Sequence, residues 1–412
     1  MEMFELSSSK SLEARVPKLR FPGFEGEWEE KKLSDVATGF DYGMNAAAGD
    51  FDGINKYIRI TDINEESRCY ISDNPVSPKG NLDDKYLVHK NDILFARTGA
   101  STGKTYLYKR SDGKLYFAGF LIRISVNNDN NSTFVYNSTL TNKYKRWVQL
   151  TSMRSGQPGI NSQEYSSYRS YYPQLNEQNK IAFFFEALDR RIEKQRQLVE
   201  TLKLYKRGLS TALFTRKLQL QKSGNIPYLI WVQKQLGEIF NERTERAVGT
   251  EKLLAVTINN GVQERASLDL KDNSSDDKQS YRVVHIGDLA YNTMRMWQGA
   301  CGVSSYEGIV SPAYTVLYVN NVSENYAPYF GYFFKELSML HIFQRNSQGL
   351  TSDTWNLKYD KFSNITISVP SYEEQLRITS LLDGISREIS KQEELLSTLS
   401  EYKHGLLSSM LI

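Results

Sequence analysis

The chain has 412 residues, of which 40% are hydrophobic and 24% charged, and its 51 basic and 48 acidic side chains give a net charge of +3. This is the composition of an ordinary globular protein of two to four domains, and the small positive charge does not by itself indicate nucleic acid. Cys69 and Cys301 form no CxxC pair, which argues against a disulfide framework and a zinc site. No run of about 18 apolar residues exists, which argues against a membrane span. The polar start is unlike a signal peptide, so we expect a cytoplasmic protein.

In chain order, the pattern predicts a flexible tail at residues 1–20, a globular domain at 21–173, a long helix at 174–218, a second domain at 219–370 and a second long helix at 371–412. Runs of β-branched and aromatic residues predict strands at 56–60, 92–96, 105–108, 120–126 and 313–319. Shorter helices are predicted at 138–151 and 327–346. Clusters of Gly, Asn, Asp and Ser between these elements indicate many loops, which is where recognition residues commonly lie.

The chain contains an internal repeat. The long helices align without a gap at an offset of 197 residues, which pairs Tyr205 with Tyr402 and, further upstream, Gln178 with Gln375. The globular parts match more loosely, for example at Trp28 and Trp231. A duplication without functional meaning is one explanation. Because the helices are kept while the domains differ, we favour one scaffold that presents two different binding surfaces.

Both long helices carry apolar residues at alternating steps of four and three, the pattern of a helix that packs on a partner helix. The seam is interrupted at matched places by glutamine, as expected where a polar residue fixes the register. The predicted seam residues are Ile181, Leu188, Ile192, Gln195 and Leu202 in the first helix and Ile378, Ile385, Ile389, Gln392 and Leu399 in the second. The alternative is that each seam packs on its own globular domain.

The segment Gly99–Thr105 resembles a nucleotide-binding P-loop but has three residues between its glycines instead of four. The sequence after it predicts a strand, whereas a P-loop opens a helix. We therefore interpret it as a glycine-rich turn, in which Arg97, Ser101, Thr102 and Lys104 can donate to a phosphate or a base edge. A methyltransferase cofactor loop and a catalytic or metal-ligating constellation are absent from the sequence. These observations predict a protein that recognises a target and does not catalyse a reaction.

Three segments resemble the specificity subunits of type I restriction–modification systems: VPKLRFPGFEGEWEEKKLSDV, ILFARTGASTGK and PQLNEQNKIAFFFEALDRRIEKQRQLVETLKLYKRGLS. The resemblance extends from about Val16 to the end, and the tail through Ser11 does not fit the pattern. It implies an α+β fold in which two mixed α/β target recognition domains alternate with two long helices, and these pair as an antiparallel coiled coil around a pseudo-twofold axis.

The resemblance also implies a function. Each domain would read one part of a bipartite site in double-stranded DNA, and the helices would set the distance between the half-sites. Two methyltransferase subunits would methylate adenine, and restriction and motor subunits would cleave DNA. No cofactor is implied for this chain; the partners would use S-adenosylmethionine, ATP and Mg²⁺. A stand-alone DNA-binding or scaffold protein and an NTPase acting through Gly99–Thr105 are the alternatives.

Sequence-specific readout needs Arg, Lys, Asn or Gln at base edges, with further donors at phosphates. The DNA-binding candidates in the first half are Arg59, Arg97, Ser101, Lys104, Arg154, Gln157 and Asn161. Those in the second half are Arg295, Gln298, Arg345, Gln348 and Thr351. For any single residue, the alternative is a solvated loop position without a functional role.

Overall fold

A computed structural model describes residues 15–153, 156–222, 226–228, 230–248, 251–268 and 278–412. The chain folds into two compact units. Unit 1 comprises the described residues up to Arg196 together with Glu394–Ile412, and unit 2 comprises those of Gln197–Glu393. Each long helix therefore begins in one unit and ends in the other. Nowhere in these ranges does the structure contain a helix suited to crossing a membrane.

Unit 1 is built around one small antiparallel sheet. The strands of this unit are β1 (Glu29–Lys32), β2 (Ala37–Tyr42), β3 (Ala48–Asp50), β4 (Lys56–Ile58), β5 (Val76–Pro78), β6 (Asp92–Ala96), β7 (Thr105–Leu107), β8 (Leu115–Phe117), β9 (Leu121–Val126) and β10 (Arg169–Tyr172). Its shorter helices are α1 (Leu33–Val36), α2 (Ser132–Ser138), α3 (Asn142–Ser152) and α4 (Ser162–Ser166). The main sheet has the order β2-β9-β6-β7, and β1 pairs with β10.

Strand β6 is buried along its whole length because both faces of the sheet are covered, and it is apolar from Ile93 to Ala96. Successive side chains of a strand point to opposite faces. Ile93 and Phe95 accordingly join the large core beneath the helices, whereas Leu94 and Ala96 join a second core formed with Ile58 and its neighbours. The strand predicted at 92–96 is confirmed at those residues.

Two long helices extend from the units. They are α5 (Leu175–Phe214), with 40 residues, and α10 (Tyr372–Met410), with 39. At 1.5 Å per residue, each is about 60 Å long.

Unit 2 repeats the same architecture. Its strands are β11 (Gln221–Lys222), β12 (Ile226–Pro227), β13 (Val232–Gln235), β14 (Phe240–Glu242), β15 (Leu254–Thr257), β16 (Gly261–Glu264), β17 (Arg282–Val284), β18 (Leu289–Asn292), β19 (Cys301–Val303), β20 (Gly308–Val310), β21 (Tyr314–Val319) and β22 (Thr366–Val369). Its shorter helices are α6 (Leu236–Ile239), α7 (Ala327–Phe333), α8 (Leu337–Asn346) and α9 (Tyr359–Ser363). The main sheet has the order β14-β21-β18-β19, and β13 pairs with β22, so both repeats share one topology.

Both predicted shorter helices are in fact pairs of helices. The region 138–151 contains the end of α2 and most of α3, and 327–346 contains α7 and α8. In unit 1, the break has a local cause, because the Thr141 hydroxyl caps α3 by accepting a hydrogen bond from the Tyr144 amide. The apolar pattern continues across the break, which explains why a single helix was predicted.

The long helices pack against each other within each unit, and the direction is antiparallel. In unit 1, Ile181 near the start of α5 shares a core with Leu406 and Met410 near the end of α10. Further along, the Lys403 ammonium lies 2.5 Å from the Asp189 carboxylate. As the numbers rise along α5, those of the contacted residues on α10 fall.

Unit 2 shows the same antiparallel packing. Here Leu213 shares a core with Ile378 and Leu382, and Leu209 packs against that core. The Lys203 ammonium lies 3.0 Å from the Glu393 carboxylate. Ile181, Ile192, Ile378, Ile389 and Leu399 of the predicted seam are buried, and Leu188, Leu202 and Ile385 are half-buried. Gln392 donates a hydrogen bond to Glu388 one turn away on its own helix.

The end of the predicted flexible tail requires correction. The Arg20 guanidinium forms two hydrogen bonds of 2.7 and 2.8 Å with the Glu177 carboxylate on α5. The Leu19 amide donates to the Ser409 carbonyl on α10. Residues 15–20 are thus attached to the helices, while residues 1–14 lie outside the described ranges.

A buried glutamine attaches each domain to its long helix in the same way. Gln178 donates to the carbonyl of Pro173 and to Asn130, and its own oxygen accepts from the Asn131 amide. At the repeated position, Gln375 donates to the carbonyls of Pro370 and Glu324 and accepts from the Tyr326 amide. This explains why the repeat extends upstream of the helices to the prolines.

The glutamate before each of these glutamines has a different partner in the two units. Glu177 pairs with Arg20, whereas Glu374 accepts a hydrogen bond of 3.1 Å from the Trp231 indole. Burial raises the pKa of the Glu374 carboxyl, and the Trp231 hydrogen bond and the charge of Arg216 oppose this only partly. A buried carboxylate without an ion pair is unfavourable, whereas one that pairs with Arg is compensated.

We therefore predict that the same glutamate-to-glutamine substitution destabilises unit 1 but not unit 2. Glu177→Gln should destabilise unit 1 by about 2 kcal/mol, less than the ~3–5 kcal/mol of a fully buried pair because Arg20 keeps some access to water. Glu374→Gln should leave unit 2 equally or more stable at pH 7. The raised pKa means that the native state retains this proton more strongly than the unfolded state, so the wild-type unit gains stability as the pH falls through the raised pKa.

Urea unfolding of both variants, followed separately at pH 7 and pH 5, tests this prediction. Protonation of Glu374 should increase the free energy of unfolding of the wild-type protein between pH 7 and pH 5. This increase should be absent in Glu374→Gln. Equal destabilisation by the two substitutions would contradict the prediction.

Candidate nucleic-acid interface

Each unit has a hairpin loop at the same place in its main sheet. Loop A1, residues 97–104, joins β6 to β7, and loop A2, residues 293–300, joins β18 to β19. Both contain a glycine just before the second strand in the left-handed conformation, Gly103 with φ +86° and Gly299 with φ +85°. A Cβ atom on Gly103 would also lie 2.5 Å from the Val148 side chain, so only glycine fits there.

A second loop crosses each hairpin loop. Loop B1, the described residues 153 and 156–161 between α3 and α4, is joined to loop A1 by hydrogen bonds from the Ile160 amide to the Arg97 carbonyl (2.9 Å) and from the Gly99 amide to the Pro158 carbonyl (3.0 Å). Loop B2, residues 347–358 between α8 and α9, is joined to loop A2 by a bond from the Leu357 amide to the Thr293 carbonyl (2.9 Å). The two loop pairs are therefore equivalent surfaces.

Arg97 is the best-positioned candidate in unit 1. Its guanidinium lies over the ring of Tyr42, 4.7 Å from the centroid, and makes a long hydrogen bond of 3.4 Å to the Gly119 carbonyl. The Tyr42 hydroxyl accepts from the Ser162 amide at 3.2 Å. Hydrogen bonding from Ser162, with a smaller contribution from the Arg97 charge, lowers the pKa of Tyr42. The aromatic ring thus orients a half-buried cation at the edge of loop A1.

Sequence reasoning missed Tyr42. It ends β2, far from loop A1 in sequence, and 43% of its surface is exposed. Only the pairing of β2 with β9, which includes a register shift between Gly39 and Asp41, brings it to the interface. No local motif marks such a residue.

The other polar residues predicted in loops A1 and B1 lie together. The Thr102 hydroxyl closes loop A1 by donating to the Gly99 carbonyl at 2.7 Å. The Gln157 amide lies against Gly99, within 3.2 Å of where a Cβ would stand, and Gln157 is exposed. The Ser101 hydroxyl makes only a long hydrogen bond of 3.4 Å to Glu65. Hydroxyl and amide groups dominate this surface.

Three candidates in unit 1 have structural partners instead. Lys104 is 4% exposed and directs its ammonium to Glu65 and to the Ile63 carbonyl, so it cannot reach a phosphate in this conformation. Asn161 caps α4 by accepting from the Glu164 amide at 2.9 Å. The Arg59 guanidinium is held by two hydrogen bonds of 2.8 and 2.9 Å to Asp62. Arg154 lies outside the described residues.

The candidates of unit 2 lie in loops A2 and B2 and at the end of α8. Arg295 and Gln298 are half-buried in loop A2, and Arg345 is exposed in the last turn of α8. Gln348 exchanges two backbone hydrogen bonds with Asn356, and the Thr351 amide donates to the Thr354 hydroxyl at 3.1 Å, so loop B2 is a closed turn. Together these residues place two cations and two amides around one loop pair.

The P-loop-like segment has the geometry of a hairpin turn. Strand β7 follows it directly, so no helix N-terminus is available for a phosphate. The repeated histidines lie in the same turn of each unit: the His89 amide donates to Asp92 at 2.8 Å, and the His285 amide donates to Asp288 at 2.9 Å. In both units, this turn leads into the central strand of the main sheet.

Comparison with known proteins identifies the kind of domain that this fold forms. Residues 25–203 match the family described as "Type I restriction modification DNA specificity domain". The match covers less than half of the chain and shows what these residues are similar to. Residues 25–203 are thus similar to a domain named for DNA specificity in type I systems.

Solved structures show the same fold over nearly the whole chain. One is a type I restriction–modification S subunit from M. genitalium, at 15% identity and a TM-score of 0.58, covering 96% of this chain and 99% of that one. Another, at 16% identity and a TM-score of 0.53, covers 92% and 96%; it belongs to a study of complex assembly and conformational transition of the type I R-M system. The predicted α+β fold with two long helices is confirmed.

For the specificity domain, we predict that Arg97→Ala weakens binding to its target DNA about tenfold, the typical loss when an arginine that contacts a base is removed. Fluorescence anisotropy with target and scrambled duplexes measures the effect. Arg110→Ala, at an exposed arginine outside loops A1 and B1, is the matched control. Lys104→Ala should lower stability and leave the affinity of the folded protein unchanged. Target binding unaffected by Arg97→Ala would exclude Arg97 from the interface.

Proposed function

We propose that the chain reads a bipartite DNA target, one half-site through loops A1 and B1 and the other through loops A2 and B2. The observation that carries this proposal is the equivalence of the two loop pairs: the same hairpin position, the same left-handed glycine and one corresponding hydrogen bond between the loops. The side chains on them differ, as two readers of different sequences require.

We further propose that two copies of one methyltransferase partner bind the long helices. Leu198 and Tyr205 of α5 are 43% and 59% exposed, and their repeat counterparts on α10, Leu395 and Tyr402, are 39% and 59% exposed. Residues seven apart lie on one face of a helix. Each helix thus presents a leucine–tyrosine pair to solvent, outside the buried seam. Two equivalent exposed apolar surfaces of this kind are expected to bind two copies of the same partner protein.

In this proposal, the partner subunits catalyse the reactions, and this chain determines the DNA sequence on which they act. The methyltransferase subunits use S-adenosylmethionine to methylate adenine, and restriction subunits use ATP and Mg²⁺. The alternative is a DNA-binding protein that recruits no enzyme, and it predicts no use for the exposed leucine–tyrosine pairs.

Single-molecule sequencing of adenine methylation in the host, with and without this gene, tests the proposal. One interrupted motif should lose methylation when the gene is deleted, and the wild-type gene should restore it. A Leu198→Ala/Tyr205→Ala/Leu395→Ala/Tyr402→Ala variant should bind DNA normally but fail to restore methylation or to co-elute with the methyltransferase in gel filtration. Unchanged methylation after deletion would refute the proposal.

A further inference from the structure

The loop pair of unit 2 carries an apolar patch, which we define as Met294, Trp297 and Trp355. The two indole rings meet edge to face, with centroids 5.1 Å apart and an interplanar angle of 77°. Trp297 donates through its Nε1 to the Met294 carbonyl at 3.1 Å. Met294 is exposed, and both tryptophans are only half-buried. Large apolar groups in this state on a loop surface indicate a binding contact.

The loops that carry the patch are well fixed. Gln348 and Asn356 exchange backbone hydrogen bonds of 3.0 and 2.8 Å at the base of loop B2. Met296, between Met294 and Trp297 in loop A2, is fully buried in the core of the unit. The patch is therefore presented at a defined position, as a recognition surface requires.

The same positions in unit 1 have a different chemistry. Counting from the matched glycines and from the hydrogen bonds that join the loops, Met294 corresponds to Thr98, Trp297 to Ser101 and Trp355 to Pro158. Met153 in loop B1 and Leu350 in loop B2 are both exposed, so each unit also has a further apolar residue in its second loop. The patch is what distinguishes unit 2.

The surroundings of the patch indicate what covers it. Arg295 stands between Met294 and Trp297 in loop A2, and Gln298 follows directly. A surface that alternates apolar, cationic and amide groups fits the DNA major groove, where base edges offer acceptors and thymine adds a methyl group. Apolar side chains recognise that methyl group by direct contact.

We propose that the apolar patch recognises the 5-methyl groups of thymine in the half-site read by unit 2. This inference rests on the proposed function and adds to it a base preference. Unit 1, with hydroxyl and amide groups in the same place, reads its half-site by hydrogen bonding. The two units therefore differ in the kind of contact as well as in the sequence recognised.

The test replaces each thymine of the mapped motif by deoxyuridine, one at a time, which removes only the methyl group and keeps the base pair. Binding of the full chain to each duplex is measured by fluorescence anisotropy. At one or more positions in the half-site of unit 2, the affinity should fall about fourfold, the value of one buried methyl group. A half-site without thymine, or one indifferent to deoxyuridine, would overturn the inference.

Variants connect this sensitivity to the patch. Trp297→Ser, which copies the residue of unit 1, should bind thymine and deoxyuridine duplexes equally. Met153→Ala, at an exposed apolar residue of unit 1, should keep the wild-type sensitivity to deoxyuridine. If Trp297→Ser weakens both duplexes by the same factor, the indole acts as a wedge between bases and methyl recognition is refuted. Absence of any motif-specific binding would instead contradict the proposed function itself.

Discussion

Replacing residues 21–172 by the corresponding segment of a relative should change one half of the methylated motif completely and leave the other half unchanged. The exchanged segment contains loops A1 and B1 in full and ends with strand β10, just before Pro173. The exchanged domain should remain attached to α5, because Gln178 contacts the main-chain carbonyl of Pro173 and the main-chain amide of residue 131. A domain of the same fold can supply that amide whatever its loop sequence.

Mapping of the methylated motif measures the outcome. The matched control transplants only helix residues 178–214, which should leave both half-sites as they were. A domain exchange that altered both halves, or neither, would show that the units are not independent readers.

Inserting seven residues into both long helices, after Arg196 and after Glu393, should lengthen the gap between the half-sites by about three base pairs. Seven residues add about 10 Å of helix, and one base pair occupies ~3.4 Å. A whole heptad keeps the buried seams of both units in register, since the seam repeats every seven residues.

The control variant carries seven inserted residues in α5 alone. It should lose methylation because the buried seams of α5 and α10 are then out of register. Motif mapping of the double insertion reports the gap directly. Retained methylation with an unchanged gap would show that these helices do not set the spacing.

The sequence predicted the long helices well because their information is periodic and present twice. Matching seams over some 35 residues leave little freedom for another interpretation, and Ile181, Ile192, Ile378 and Ile389 are buried as a seam requires. Strand β6 was predicted for a similar reason, because Ile93–Ala96 form a short apolar run that is buried on both faces.

The site was predicted less well because the exposure of a loop residue depends on tertiary contacts. Lys104 follows a glycine turn, as a phosphate-binding lysine does, yet Glu65 and the Ile63 carbonyl hold it inside. Asn161 has the residue type of a base contact and also that of a helix cap, and the structure uses it as a cap. Tyr42 reaches Arg97 only through strand pairing, which has no signature near either residue.

The attachment of each domain to its long helix through Gln178 or Gln375 has a consequence for how such a protein evolves. Gln178 and Gln375 hold their domains largely through peptide groups, which every sequence possesses. Mutations in loops A1, B1, A2 and B2 therefore do not disturb these hydrogen bonds. A recombination event that ends at the repeated helix keeps the attachment of the new domain intact. New target preferences can then arise by shuffling whole domains between genes, or between the two halves of one gene, without a period of instability in which selection would remove them.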